Sequence, residues 1–354
     1  MKLRWILTGL PLLFLGGCAG FGPTTVSRDR FDYTAAISDS WKSQMLFNMV
    51  KLRYGDAPVF LDVSSVINQY QIAGQINLGA TITNHPWTTM ESLGATGQYV
   101  DRPTITYTPI MGDKFARSLM SPIPPPAIFS LIQSGYPVEY VFRLLVNEIN
   151  GIRNRYGGQA RFHPADPEFY SLLENLAKIQ KAGEIGMRVQ KIEKNEGSVM
   201  IFRGRRDPET KSLSVETRKM LGLDPSATEF QIVYGSIPRN DREIAILTRS
   251  ILEVIIDLSA DIEVPAADVQ EKRVNPAFVE KAAAGEKISP LLRIRSSTGK
   301  PDDAFVSVRY RNSYFWIDDR DLQSKRLFSF LMFVFTLVET GEKGTAPIVT
   351  IPTG

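Results

Sequence analysis

Hydrophobic and polar positions alternate along two neighbouring stretches of the chain. From Tyr70 to Ile82, every even-numbered position is apolar or glycine, and no position carries a charge. Residues 93–107 alternate in the same way, although Asp101 and Pro103 interrupt their apolar face. Successive side chains of a strand point to opposite faces, so both stretches predict strands. Together they predict one long amphipathic β-hairpin near residues 70–107.

The apolar face of this hairpin has two interpretations. An antiparallel sheet with one face against a soluble core shows the same alternation, and this is the favoured interpretation. A strand of about 9 to 11 residues is also long enough to cross a membrane. Asp101 and Pro103 limit how far such a hairpin enters lipid, so residues 70–99 are the part that is able to face a membrane.

Apolar residues that recur every three or four positions predict helices in much of the remaining chain. A first helix follows Asp32, and Gly55 is its predicted C-terminal stop. Further helical patterns cover residues 113–120, 127–133, 138–150, 166–181, 214–221, 241–262 and 319–339. Strand patterns cover residues 59–66, 187–193, 198–202, 230–234, 291–295, 305–310, 314–317 and 348–351.

This order of elements predicts an α+β fold, in which antiparallel hairpins and a meander pack with amphipathic helices. We expect residues 32–182 to form an N-terminal helical region that carries the long hairpin. Residues 183–354 are expected to form a C-terminal α+β region, with the boundary near Ala182.

Composition argues against several classes of function. Lys2 and Arg4 are the only charges before Cys18, and without them 39 basic residues face 38 acidic ones. This balance argues against nucleic-acid binding, which depends on a clustered basic surplus. The chain has one cysteine and two histidines, so an internal disulfide is impossible and most zinc chemistry is unsupported. Neither a cofactor nor a metal is predicted.

The first residues carry the strongest signal in the sequence. They read MKLRWILTGLPLLFLGGCAG, a short basic start followed by an apolar run and small residues. The apolar run is too short for a spanning helix, which needs about 20 apolar residues. This pattern predicts a signal peptide over residues 1–18.

The end of this segment, Leu15-Gly16-Gly17-Cys18, resembles the lipobox of bacterial lipoprotein precursors cleaved by signal peptidase II. The resemblance implies diacylglyceryl transfer to the Cys18 sulfur, cleavage before Cys18, and acylation of the new amino group with a chain such as palmitate. A thiol is the nucleophile that such lipidation needs. Each buried CH₂ contributes about 0.8 kcal/mol, so several acyl chains hold a protein firmly at a membrane.

The residue after the cysteine indicates the destination. In enterobacterial lipoproteins an aspartate at this position retains the product in the inner membrane, and here the residue is Ala19. The resemblance therefore implies a lipid-anchored protein of the outer membrane with its body in the periplasm. Residues 19–31 contain glycine, proline, serine and threonine, and we expect them to form a flexible tether.

Several clusters of residues suggest a possible binding or catalytic function, and each also has a simpler structural interpretation. Asp318, Asp319 and Asp321 suit a hard cation, but capping of the last helix is the favoured interpretation. The apolar run 327–338 suits a core helix better than a membrane-lying or subunit-contacting one. Residues 298–303, TGKPDD, are interpreted as a turn because they lack the glycine spacing of a phosphate loop.

Basic and histidine side chains are the other candidates. Arg203, Arg205 and Arg206 suit a phosphate or a lipid headgroup, although a solvated hairpin end is favoured. His85 and His163 are interpreted as a surface residue and a turn residue. The sequence contains no nucleophile elbow, Walker loop, dinucleotide motif or HExxH motif. No catalytic residue is therefore assigned.

We expect a lipid-anchored outer-membrane lipoprotein with a non-enzymatic structural or binding role and as yet unidentified envelope protein partners. One alternative is a ring-forming lipoprotein that contributes its β-hairpin to an oligomeric outer-membrane pore, which makes the protein a homo-oligomer. The other is an envelope hydrolase that depends on carboxylates. Stretches such as KLRYGDAPVFLDV and the SGYP turn make the body resemble uncharacterised proteobacterial lipoproteins, a resemblance that implies no activity.

Overall fold

The computed structural model describes residues 21–67, 70–82, 89–101, 104–158, 162–192, 195–202, 208–277 and 288–338. It shows an α+β fold with antiparallel and mixed sheets, as the sequence predicts. The chain divides into two compact units, one of residues 59–111 and one of the residues before and after it.

Helix α1 spans Phe21–Arg53 and begins earlier than expected. Residues 19–31 were predicted to form a flexible tether, but the structure is helical from Phe21. Gly22 and Pro23 suggested a tether, yet both lie in the first helical turn, where proline removes no hydrogen bond. The C-terminal end agrees with the prediction, because Gly55 follows the helix with a φ of 78°.

The smaller unit contains the long hairpin, which the structure confirms. Strand β1 (Leu61–Ile67) pairs with β4 (Thr104–Pro109), and β2 (Tyr70–Ile82) pairs with β3 (Thr89–Asp101). The β2–β3 register runs without interruption from Tyr70 opposite Asp101 to Ile82 opposite Thr89. Paired backbone therefore extends beyond the predicted hairpin at both ends, to Leu61 and Pro109.

A six-stranded sheet forms the centre of the larger unit. Its order is β6-β5-β10-β9-β8-β7, antiparallel except for the β9–β10 pair, and it takes strands from before and after Ala182. The strands are β5 (Val146–Ile149), β6 (Ile152–Arg153), β7 (Ile185–Ile192), β8 (Asn195–Phe202), β9 (Glu229–Tyr234) and β10 (Glu243–Thr248).

The larger unit also contains several shorter helices, three of which contact this sheet. The short helix α2 (Gly112–Phe115) continues into a π-helical turn at Ala116–Met120. The others are α3 (Pro125–Gln133), α4 (Val138–Leu145), α5 (Pro167–Lys181), α6 (Pro208–Met220), α7 (Ile251–Ser259) and α8 (Ala266–Gln270).

The predicted helix over residues 241–262 is wrong in its first half. Residues Glu243–Thr248 form β10, a central strand that is almost wholly buried. A new helix, α7, starts after Ser250, whose hydroxyl accepts a hydrogen bond from the Glu253 backbone N–H at 3.2 Å. The Glu253 carboxylate accepts one from the Ser250 N–H at 2.8 Å, which completes a capping box. The predicted helix over residues 138–150 likewise becomes α4 followed by β5.

The C-terminal elements form a three-stranded sheet and a helix. Strands β11 (Arg295–Ser297), β12 (Ala304–Tyr310) and β13 (Ser313–Asp318) pair in the order β11-β13-β12. Helix α9 (Leu322–Val338) follows them and buries Leu327, Phe328, Leu331 and Val334. The predicted strand over residues 348–351 lies outside the described residues.

Candidate functional site

The β1–β4 part of the hairpin exposes apolar side chains. Val66 lies opposite Ile105 and Val63 lies opposite Tyr107, so these side chains share one face of the ribbon. Ile105 is 40% exposed and Tyr107 is 53% exposed. Ile105 and Tyr107 are therefore not buried, whereas burial of residues 70–99 against a soluble core stays a prediction. The side chains of residues 70–97 lie outside the described ones.

The hairpin also leaves backbone edges open. Among the described residues, β2 and β3 pair only with each other, and so do β1 and β4. Over the described ranges, β2, β3 and β4 therefore each have one hydrogen-bonded neighbouring strand and one edge of N–H and C=O groups that faces no second strand. An isolated two-stranded hairpin is at best marginally stable in water, and open edges template pairing with other chains. The hairpin is thus a candidate assembly surface.

A second feature is a buried cluster of charges in the larger unit. The Arg249 Nη1 atom lies 3.0 Å from Asp257 Oδ2. Arg155 contacts the same carboxylate, with Nε 3.4 Å from Oδ1, and its Nη2 lies 3.0 Å from Asp261 Oδ2. All four side chains are at most 9% exposed. We call them the Arg249–Asp257 cluster.

Backbone groups complete this cluster. The Gly157 N–H donates to Asp257 Oδ1 at 2.6 Å. Arg249 donates from Nε to Asn147 Oδ1 at 2.8 Å, and its other nitrogens donate to main-chain carbonyls. A Cβ at Gly157 would lie 2.8 Å from the Ala260 Cβ, so glycine permits the close approach of the loop to α7. The cluster therefore holds the segment 154–158, which follows β6, against α7, a structural role.

A third feature is an apolar cleft of about 650 Å³ between α9 and the SGYP turn, which we call the α9 cleft. One wall holds Tyr136, Pro137 and Tyr140, and the other consists of α9 side chains with Phe305 from β12. The Tyr136 and Phe330 rings are in contact, with centroids 4.7 Å apart. Small-ligand sites typically enclose about 300–1,000 Å³ and are mostly apolar, so the cleft has the size of such a site.

The acidic cluster before α9 is a helix cap, as favoured from the sequence. The Asp321 carboxylate accepts hydrogen bonds from the Ser324 N–H at 3.0 Å and from the Ser324 hydroxyl at 2.9 Å. Asp319 pairs with Lys325 at 2.7 Å, and Asp318 pairs with Arg295 at 3.3 Å. Burial raises the pKa of Asp321, but the hydrogen bonds from Ser324 together with the charges of Arg293 and Arg295 outweigh it and leave this pKa below its ordinary value.

The Asp321→Asn substitution is expected to destabilise the protein by up to about 1 kcal/mol at pH 7, because Asn keeps the cap oxygen but loses its charge at the helix N-terminus. A depressed folded-state pKa contributes stability above the unfolded value of about 3.9 and loses it as the pH falls through the folded value. The difference from the parent should therefore be smaller at pH 2 than at pH 7. Urea unfolding at both pH values measures it, with exposed Asp302→Asn as the control. An equal difference at both pH values would contradict the cap charge.

The other predicted candidates do not converge on one site. Cys18, His85, Arg203, Arg205 and Arg206 lie outside the described residues. His163 forms an isolated backbone bridge with Tyr156, in which its N–H donates to the Tyr156 carbonyl at 3.1 Å. Residues 298–303 connect β11 and β12 as a turn, as predicted.

The run 327–338 lies in α9 and is mainly a core element, although Phe333 is 43% exposed and lines the α9 cleft. Over the described ranges, no helix is long and apolar enough to cross a membrane. Nor does any group of His, Cys, Asp or Glu side chains in that part of the chain suit a metal ion.

Sequence reasoning missed the Arg249–Asp257 cluster and the α9 cleft. A signal for the cluster was present, because Arg249 and Asp257 are charges within a strongly apolar segment, a pattern typical of a buried pair. Comparisons with protein families, with curated proteins and with solved structures found no significant match.

Proposed function

We propose that this protein is a lipid-anchored outer-membrane lipoprotein with a non-enzymatic structural role in the cell envelope, its body in the periplasm. The observation that carries the structural role is the long hairpin, in which β2 and β3 pair only with each other among the described residues and β4 exposes Ile105 and Tyr107. Such a surface recruits further strands from envelope proteins or from other copies of the chain.

The proposed anchor is Cys18, and the start of α1 supports a short connection to it. Helix α1 begins at Phe21, three positions after Cys18. Its first part is largely exposed, with Val26 61% and Phe31 74% exposed, whereas Met45, Leu46 and Met49 are buried. At about 1.5 Å per residue, the exposed part gives a helical spacer of about 30 Å. The lipid would thus hold the body at a set distance from the bilayer.

Cys18→Ala is expected to abolish palmitate incorporation, since alanine offers no sulfur for lipid transfer. Growth with radiolabelled palmitate followed by immunoprecipitation of the full-length protein measures this. Ser27→Ala, a nearby substitution in the exposed part of α1, should keep full labelling. Palmitate labelling that persists in Cys18→Ala would overturn the anchor.

A second candidate is a ring-forming lipoprotein that contributes this hairpin to an oligomeric outer-membrane pore. The uninterrupted β2–β3 register favours it, because each strand has 13 residues and about 9 to 11 are enough to cross a membrane. Every copy in a closed ring pairs both of its hairpin edges with neighbours, so that no edge stays open.

Sizing of the full-length protein in detergent and conductance in planar bilayers test this candidate together. A discrete oligomer with stepwise conductance would support the pore. A monodisperse monomer at micromolar concentration without conductance would exclude it, and the structural role would then depend on other envelope proteins.

A further inference from the structure

The α9 cleft joins an apolar interior to a basic rim. Its interior includes Phe305, Phe330 and Phe333. Lys325 and Arg326 are the only charged side chains among the residues that line it, and all of these residues are described. The cleft therefore suits a ligand with an apolar body and an anionic end.

The two basic side chains differ in their surroundings. The Lys325 Nζ atom is 2.7 Å from Asp319 Oδ1 and 2.9 Å from the Asp319 carbonyl oxygen, and it lies 5.3 Å from the centre of the Phe305 ring. Arg326 is exposed and sits one turn before Phe330 on the cleft side of α9. Because Asp319 offsets the charge of Lys325, the guanidinium of Arg326 supplies the excess positive charge at the rim.

Hydrogen bonds fix the wall opposite α9. The Gln180 side-chain amide donates to the Tyr136 carbonyl at 2.9 Å, and its oxygen accepts from the Val138 N–H at 2.9 Å. Gly135 has a φ of 98°, which lets the chain turn into Tyr136. The backbone on both sides of the Tyr136 side chain is thus held before any ligand arrives, and a preformed site loses less entropy on binding.

We propose that the α9 cleft binds a single-chain anionic amphiphile, such as a long-chain fatty acid. Its acyl chain lies along Phe305, Phe330 and Phe333, and its carboxylate meets Arg326. A single chain fits a cleft of about 650 Å³ better than a two-chain phospholipid, which carries twice the apolar volume. Guanidinium groups bind carboxylates through two parallel hydrogen bonds, which favours the acid over a neutral alcohol. The site is separate from the hairpin and from Cys18, so its failure would leave the proposed function standing.

Photolabelling of the full-length lipidated protein in phosphatidylcholine vesicles tests the proposal. The probe is a palmitic acid analogue with a diazirine near the end of its chain, and mass spectrometry locates the labelled peptides. We expect label in residues 136–140 and 326–333. Phe333→Asp should reduce this label about tenfold, because a carboxylate in the cleft opposes burial of an acyl chain. Phe31→Asp, at an exposed phenylalanine outside the lining, should leave it unchanged.

Competition separates the possible ligands. Unlabelled palmitate should compete about tenfold better than hexadecanol, and Arg326→Gln should remove this preference without changing competition by the alcohol. Label confined to other peptides, or unchanged by Phe333→Asp, would overturn the site. Equal competition by acid and alcohol would overturn the anionic ligand. Phosphatidylglycerol that competes as well as palmitate would overturn the single-chain ligand.

Discussion

Replacing Asp257 with alanine is expected to lower the free energy of unfolding by about 3–5 kcal/mol, the range measured when one partner of a buried ion pair is removed. The Asp257 carboxylate contacts both Arg249 and Arg155 and accepts the Gly157 N–H at 2.6 Å. Without this carboxylate, the fully buried guanidinium of Arg249 loses its negatively charged partner. Urea unfolding of the parent and the variant at the same pH measures the change.

Two further variants separate the effect of losing a buried charge from the effect of losing a carboxylate side chain. Asp39→Ala removes the partner of Lys42, an exposed pair on α1 with the carboxylate 74% exposed, and should cost less than about 1 kcal/mol. Asp257→Asn keeps an oxygen for the Gly157 N–H but removes the charge, so its cost should fall between the other two. A loss below about 1 kcal/mol for Asp257→Ala would contradict the role of the Arg249–Asp257 cluster.

Sequence patterns predicted the elements whose burial follows a simple period. The hairpin alternates cleanly because each of its strands has two distinct faces, and its register appears in the structure. Helix α5 was predicted to within one residue, since Asp166 and Pro167 mark its start.

The predicted helices are wrong where the segment forms a strand that is buried on both faces. Residues Glu243–Thr248 lie between β5 and β9, so apolar residues follow one another without alternation and also match helical spacing. The chain contained one unused signal, because Ser250 and Glu253 stand at the spacing of a capping box and mark a helix start. A capping box inside a long apolar segment therefore indicates that a new helix begins there.

The candidate sites were harder to predict because their residues meet only after folding. Asp257 and Gly157 are 100 positions apart in the chain and are joined by a hydrogen bond. The α9 cleft likewise combines Tyr136 with Phe330, which no short motif connects. The spacing of residues along the sequence identifies a site only when its residues lie within one element or loop. These sites depend instead on how α4, α7 and α9 pack.

The double substitution Ile105→Asp/Tyr107→Asp is expected to abolish assembly through the hairpin while leaving the folded monomer intact. Both residues are exposed, so a charge at either position meets water in the single chain. In an assembly the same face contacts a neighbour or lipid, and a carboxylate there loses its water. Loss of a hot-spot contact at an interface costs at least about 2 kcal/mol, or about 30-fold in affinity. Where the parent protein forms the proposed oligomer, light scattering of the purified full-length variant should therefore show monomer.

The opposite face of the same strand provides a matched control. Thr104 and Thr106 alternate with Ile105 and Tyr107 and are also exposed, so Thr104→Asp/Thr106→Asp adds the same charge to the polar face. This variant should keep the oligomer, because a polar face that meets water tolerates a carboxylate. Equal loss of assembly in both variants would show that strand β4 needs low charge and not an apolar face. Retention in both would place the assembly contact outside β4 and would contradict the role given to its exposed apolar residues.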